Sequence, residues 1–157
     1  MLLPLLTLSG CSDRGADTSV DSQFPPGFLW GSATAGFQVD MGCPTWSAEV
    51  CTDTASDWYQ WVTAEEIVTN DALFVSGEPV ENGPGMWELF EEDVAQMAAD
   101  GLTAYRMSLE WSRIFPDGAA EDAQTISELA AHADADAVAR YHEMFTALRE
   151  HSIVPVV

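Results

Sequence analysis

The chain has 157 residues, enough for one domain with a core of its own. Its formal charge is −21, and all five cationic side chains are arginines. A surface of that sign repels nucleic acid and anionic lipid, so neither is expected as a partner, whereas a neutral small molecule is indifferent to it.

Residues 1–11 read as an export segment. Met1 to Gly10 is apolar, yet too short to cross a bilayer, which takes about 20 residues. It has the character of the end of a signal peptide. Leu8-Ser9-Gly10-Cys11 is similar to a bacterial lipobox, in which the cysteine receives lipid after cleavage. An ordinary secretory leader and a misplaced start are the alternatives. On the lipobox reading Cys11 is lipidated, the protein faces the periplasm or the cell exterior, and that lipid is its connection to a membrane. Residues 12–23 are rich in Asp, Ser, Thr and Gly and read as a flexible tether.

Phe28 to Ala33 reads as a first strand. Small residues at Gly31, Ser32, Ala33, Ala35 and Gly36 let backbones approach closely. Gln38 follows. Its amide offers a donor and an acceptor and so is able to grip two neighbouring hydroxyls, although a lone glutamine is usually a surface or capping residue. Cys43 and Cys51 flank a short loop. An exported protein is expected to pair them. Two free buried thiols are the alternative, and a metal site is short of ligands because no histidine lies near. Asp57 is expected to cap a short helix that carries Trp58, Trp61 and Val62, with the aromatics read as loop packing. Residues 75–85 hold Gly77, Pro79, Gly83 and Pro84 and read as irregular.

The spacing of Leu89, Phe90, Val94, Met97 and Ala98 predicts a helix over residues 87–100. Glu88, Glu91, Glu92 and Asp93 crowd its first turns, where the helix dipole favours them, and Gly101 stops it. Residues 103–108 read as a second strand. Residues 116–136 are rich in Ala and Asp and read as a loop with a possible short helix. A helix over 137–150 turns Val138, Tyr141, Phe145 and Leu148 to the core, and a third strand begins at Ile153. Strands alternating with helices argue for an α/β fold with a parallel sheet.

Arg106 stands out in the second strand. An unpaired charge is costly in a buried strand, so this side chain is expected either in a structural salt bridge or in a site, since α/β folds place their chemistry at the C-terminal ends of parallel strands.

The stretch from Tyr105 to Phe115, YRMSLEWSRIF, resembles the segment at the second barrel strand of glycoside hydrolase family 1. Phe24 to Gln38, FPPGFLWGSATAGFQ, is similar to that family's N-terminal signature. Asp57-Trp58-Tyr59-Gln60-Trp61-Val62 and Glu81-Asn82-Gly83-Pro84-Gly85 resemble its archaeal-type β-glycosidase branch. The likeness runs from about residue 24 to residue 157 and implies the first three strands, with their helices, of an incomplete (β/α)8 TIM barrel. A complete one takes roughly 250 residues, so the chain is read as the N-terminal part of such a barrel.

The resemblance further implies a retaining β-glycosidase, β-glucosidase- or β-galactosidase-like, acting on a small β-glycoside or oligosaccharide. Retention needs two carboxyl groups about 5–5.5 Å apart, which the family places at the ends of strands four and seven. No catalytic residue is therefore expected in these residues, and the chain alone is expected to be inactive. The resemblance assigns sugar hydroxyls to Gln38. It puts Arg106 beside the nucleophile, where a guanidinium keeps a carboxylate ionised and oriented. Glu81-Asn82-Gly83 mimics the family's nucleophile motif, but Pro79 bars a central strand there, so Glu81 reads as a loop residue. Glu110 is expected to pair with an arginine such as Arg113. No cofactor or metal is expected. A degenerate or non-catalytic sugar-binding surface lipoprotein is the alternative.

Overall fold

The computed structural model describes residues 24–73 and 75–157, so the export segment with Cys11 and the tether lie outside the described residues. Three strands, β1 (Gly31–Ala33), β2 (Ala104–Arg106) and β3 (Val154–Val156), form one parallel sheet in the order β1-β2-β3. The register aligns Gly31 with Ala104 and Ala33 with Arg106, then Ala104 with Val154 and Arg106 with Val156. Ala33, Arg106 and Val156 thus form one row at the C-terminal ends of the three strands. The fit of β1 to β2 depends on Gly31, because a Cβ there would stand 2.5 Å from the Ala104 carbonyl oxygen.

Between β1 and β2 lie four short helices, α1 (Gly36–Asp40), α2 (Ala48–Cys51), α3 (Asp57–Thr63) and α4 (Glu65–Val68), and then the long helix α5 (Met86–Ala99). Between β2 and β3 lie α6 (Trp111–Ile114), α7 (Ile126–Ala131) and α8 (Ala135–Glu150). Helices α5 and α8 pack on one face of the sheet. Phe90 and Val94 of α5, Tyr105 and Met107 of the second strand segment, Tyr141, Met144 and Leu148 of α8, and Ile153 make the buried core. Residues alternate sides along a strand, so Tyr105 and Met107 point to the helices and Arg106 points to the opposite face.

Both long helices end in the same six-residue turn. The Gly101 N–H bonds the Ala98 carbonyl and the Leu102 N–H that of Met97, with Gly101 at φ +80°. At the end of α8 the Ser152 and Ile153 N–H groups bond the Arg149 and Leu148 carbonyls, with Ser152 at φ 60°. Both are Schellman stops, in which a left-handed residue satisfies the orphan carbonyls and turns the chain into a strand.

One local expectation is filled in and two change. Residues 116–136 hold a short 3-10 helix (Gly118–Asp122) and α7, the latter begun by a capping box in which Thr125 and Glu128 each bond the other's backbone. Asp57 is the first residue of α3 and not its cap; Ser56 holds that place, and the Asp57 carboxylate accepts from the Trp58 N–H at 2.9 Å. Trp58 and Trp61 are exposed, their rings edge to face at 5.8 Å, and are not packed beneath a loop.

Candidate functional site

Helix α1 carries Gln38 and leaves the end of β1 directly against the chain leaving β2. The Thr34 N–H bonds the Arg106 carbonyl at 3.0 Å, and the Thr34 and Tyr105 hydroxyls are hydrogen-bonded. The Gly36 N–H donates to the Ser108 hydroxyl at 2.9 Å, and the Phe37 N–H donates to Glu110 Oε1 at 3.0 Å. A five-residue helix has little stability of its own, so these outside acceptors for its first amides hold it in place. Gly36 lies so close to the Glu110 carboxylate that a Cβ would overlap it.

The last residue of α1 is anchored separately. Asp40 is buried, and its carboxylate faces Arg113 Nε at 3.5 Å. Neither Asp40 Oδ2 nor Arg113 Nε has a hydrogen bond, so the contact is an ion pair without hydrogen-bond geometry. Burial pushes the Asp40 carboxyl up to about 7, against the pull of the Arg113 charge. Arg113 also donates from Nη2 to the Cys51 carbonyl at 2.7 Å, and its guanidinium lies 4.0 Å over the Trp87 ring. Ser112 donates to Asp53 at 2.6 Å. The turn after β2 therefore holds the segment that follows β1 at several points between Gly36 and Asp53.

Glu110 does not pair with Arg113. The Arg113 guanidinium is spent on Asp40, Cys51 and Trp87, and the Glu110 carboxylate is turned to the Phe37 amide. The Glu110 N–H donates to the Tyr141 hydroxyl at 2.9 Å. Burial raises the Glu110 carboxyl above its ordinary range, and the Phe37 N–H works against that rise.

Gln38 is exposed. With Trp58, Ser108 and Glu110 it lines a cavity of about 330 Å³. Gln38 also lines a second recess of about 410 Å³, with Met41 and Asn82. Arg106 is exposed, on the face of the sheet opposite α5 and α8. Among the described residues it has no ion-pair partner; the ion pairs found there are Arg113–Asp40 and Arg140–Glu143. The structure joins Arg106 to the loop of Gln38 through its backbone carbonyl and not through its guanidinium. Glu81 sits exposed in a 3-10 turn, Val80–Asn82, away from any strand end.

Cys43 and Cys51 are joined in a disulfide, with Cα atoms 5.8 Å apart. Glu88 brings a carboxylate near the two sulfurs, but sulfurs bonded to each other are not thiolate ligands, so this group is not a metal site. Sequence reasoning did not weigh Asp40. The available signal was a carboxylate two residues after Gln38 in an otherwise apolar run, Gly36-Phe37-Gln38-Val39-Asp40-Met41.

Residues 20–157 match the model of glycosyl hydrolase family 1. The chain belongs to this family. It is 35% identical over 149 residues to a β-galactosidase of Saccharolobus solfataricus, covering 83% of this chain and 28% of that protein. Among solved structures it is similar to Fpglu1 of Fervidobacterium pennivoraus (33% identity, TM-score 0.73, covering 85% of this chain and 28% of that one). It is also similar to the β-glycosidase of Thermosphaera aggregans (29% identity, TM-score 0.71, covering 84% and 30%). The likeness includes the archaeal branch of family 1, and the three-stranded sheet with its helices is an incomplete (β/α)8 barrel. The chain spans under a third of the length of these relatives.

Proposed function

We propose that this family 1 chain is the N-terminal part of a retaining β-glycosidase and supplies the part of its site that grips sugar. The reading rests chiefly on Gln38. It stands on the loop that leaves the C-terminal end of β1, the end at which barrel enzymes bind substrate. Its amide shares a cavity with the Glu110 carboxylate and the exposed Trp58 ring, and an amide beside an aromatic face suits a neutral polyol. Nothing about a neutral sugar conflicts with a chain of charge −21.

Arg106, exposed at the C-terminal end of β2, has the role of a cation beside the attacking carboxylate, which it keeps ionised and aimed. Retention takes two carboxyl groups about 5–5.5 Å apart, one to protonate the leaving oxygen and one to attack the anomeric carbon. We assign neither role to a residue of this chain, so the 157 residues by themselves bind without turning over. Export is part of the proposal, and the Cys43–Cys51 disulfide supports it, because such bonds persist in oxidising compartments. Lipidation at Cys11 is the form of export that the leader favours.

The test is release of nitrophenol from aryl β-glucosides and β-galactosides. The whole protein that contains this sequence releases it, with the β configuration retained in the first-formed sugar. Turnover by the 157 residues alone would contradict the assignment of both carboxylates elsewhere. Sugar binding by the whole protein with no turnover would favour a degenerate, non-catalytic sugar-binding protein.

A further inference from the structure

We propose that Glu110 is a positioning residue for Gln38: from the turn after β2 it fixes the first turn of α1 and so sets where the Gln38 amide meets the sugar. The proposal rests on the assignment of Gln38 to sugar hydroxyls.

Three observations carry it. Glu110 Oε1 accepts from the Phe37 N–H at 3.0 Å, one residue before Gln38. The neighbouring Ser108 hydroxyl accepts from the Gly36 N–H at 2.9 Å, so adjacent amides of one helical turn are bound by one short segment across the strand gap. Gly36 presses so closely on the Glu110 carboxylate that no side chain fits between them. The first amides of a helix have no acceptor within it, so a carboxylate that reaches one satisfies it. α1 is too short to hold itself, and no side chain of its own caps it. The acceptors supplied by the turn after β2 stand in for that cap. Glu110 is held in turn, since its own N–H donates to the buried Tyr141 hydroxyl of α8. The amide of Gln38 is thereby referred to the helical layer through two side chains, those of Glu110 and Tyr141.

A positioning role differs from a structural one in what it couples to. The experiment is a double-mutant cycle on the whole protein, read as affinity for methyl thio-β-glucoside and its galactose counterpart, which are not hydrolysed. Gln38→Ala weakens binding. Glu110→Ala weakens it about tenfold when Gln38 is present, the scale of one charge-assisted hydrogen bond, and has no effect when Gln38 is already alanine. Glu110→Gln, which keeps an oxygen for the Phe37 N–H, restores most of the affinity. Ser108→Ala repeats the pattern more weakly and serves if Glu110→Ala does not fold.

Equal loss from Glu110→Ala in both backgrounds, or no loss in either while Gln38→Ala still weakens binding, overturns the positioning role and leaves the Gln38 assignment standing. No loss from Gln38→Ala itself overturns that assignment, and the inference with it.

Discussion

The Asp40 carboxylate and the Arg113 guanidinium face each other at 3.5 Å with little of either side chain exposed, and they join the end of α1 to the turn that follows β2. Asp40 is two residues from Gln38 and Arg113 is seven residues from Arg106, so this one contact ties together the two loops from which the proposed sugar site is built.

Removing one member of a buried pair leaves the other charge uncompensated, which typically costs about 3–5 kcal/mol. At pH 8, where the Asp40 carboxyl is ionised, Arg113→Met is expected to fall in that range, measured as the shift in urea midpoint. Arg113→Lys should recover little of it. An ammonium does not bond the Cys51 carbonyl and lie flat on Trp87 at the same time, as the planar guanidinium does.

The same pair makes stability depend on pH. The Asp40 carboxyl titrates near 7 in the folded protein, against an ordinary 3.8. The folded state therefore holds a proton that the unfolded state releases, and stability falls as pH rises from about 4 to about 7. The contribution is full below that window and absent above it. Urea unfolding at pH 5 and pH 8 measures the drop, and Asp40→Asn, which stays neutral, should reduce it.

Ser152 sits at φ 60° in the stop that ends α8, a place where glycine carries no Cβ penalty. Ser152→Gly is expected to stabilise the protein by roughly 0.5–1 kcal/mol. A rise in melting temperature checks it.

The Cys43–Cys51 disulfide closes a loop of eight residues' separation. A loop of that size restricts the unfolded chain by roughly 2–3 kcal/mol in the chain-entropy account. The Cys51 carbonyl is also the acceptor for Arg113. Reduction should therefore lower the melting temperature, and Cys43→Ser should show the same loss without reductant.

The long elements were legible in the sequence because their periodicity is strong. α5 begins at Met86 and α8 at Ala135, each within two residues of where the apolar spacing puts it. The strands were placed correctly but run shorter, since residues beyond the hydrogen-bonded ladder read the same as those within it. The capping box at Thr125-Ile126-Ser127-Glu128 was legible and was passed over in favour of the Ala and Asp content around it. The partner of Arg113 was not legible. Glu110 is three residues away in sequence and Asp40 is seventy-three, and local spacing favours the near carboxylate. The backbone spent Glu110 on α1 instead, a choice that depends on the tight contact at Gly36. Trp58 and Trp61 show the same limit: aromatic content alone does not reveal which side of a short helix faces the core.

The central claim is that Gln38 grips two neighbouring sugar hydroxyls, and a cycle between protein and ligand tests it most directly. Affinities of the whole protein and its Gln38→Ala variant are measured for a thio-β-glycoside and for its singly deoxygenated analogues. The account predicts that Gln38→Ala weakens binding of the parent sugar but costs little more once either of two adjacent hydroxyls is gone. Costs that simply add at every hydroxyl would contradict it.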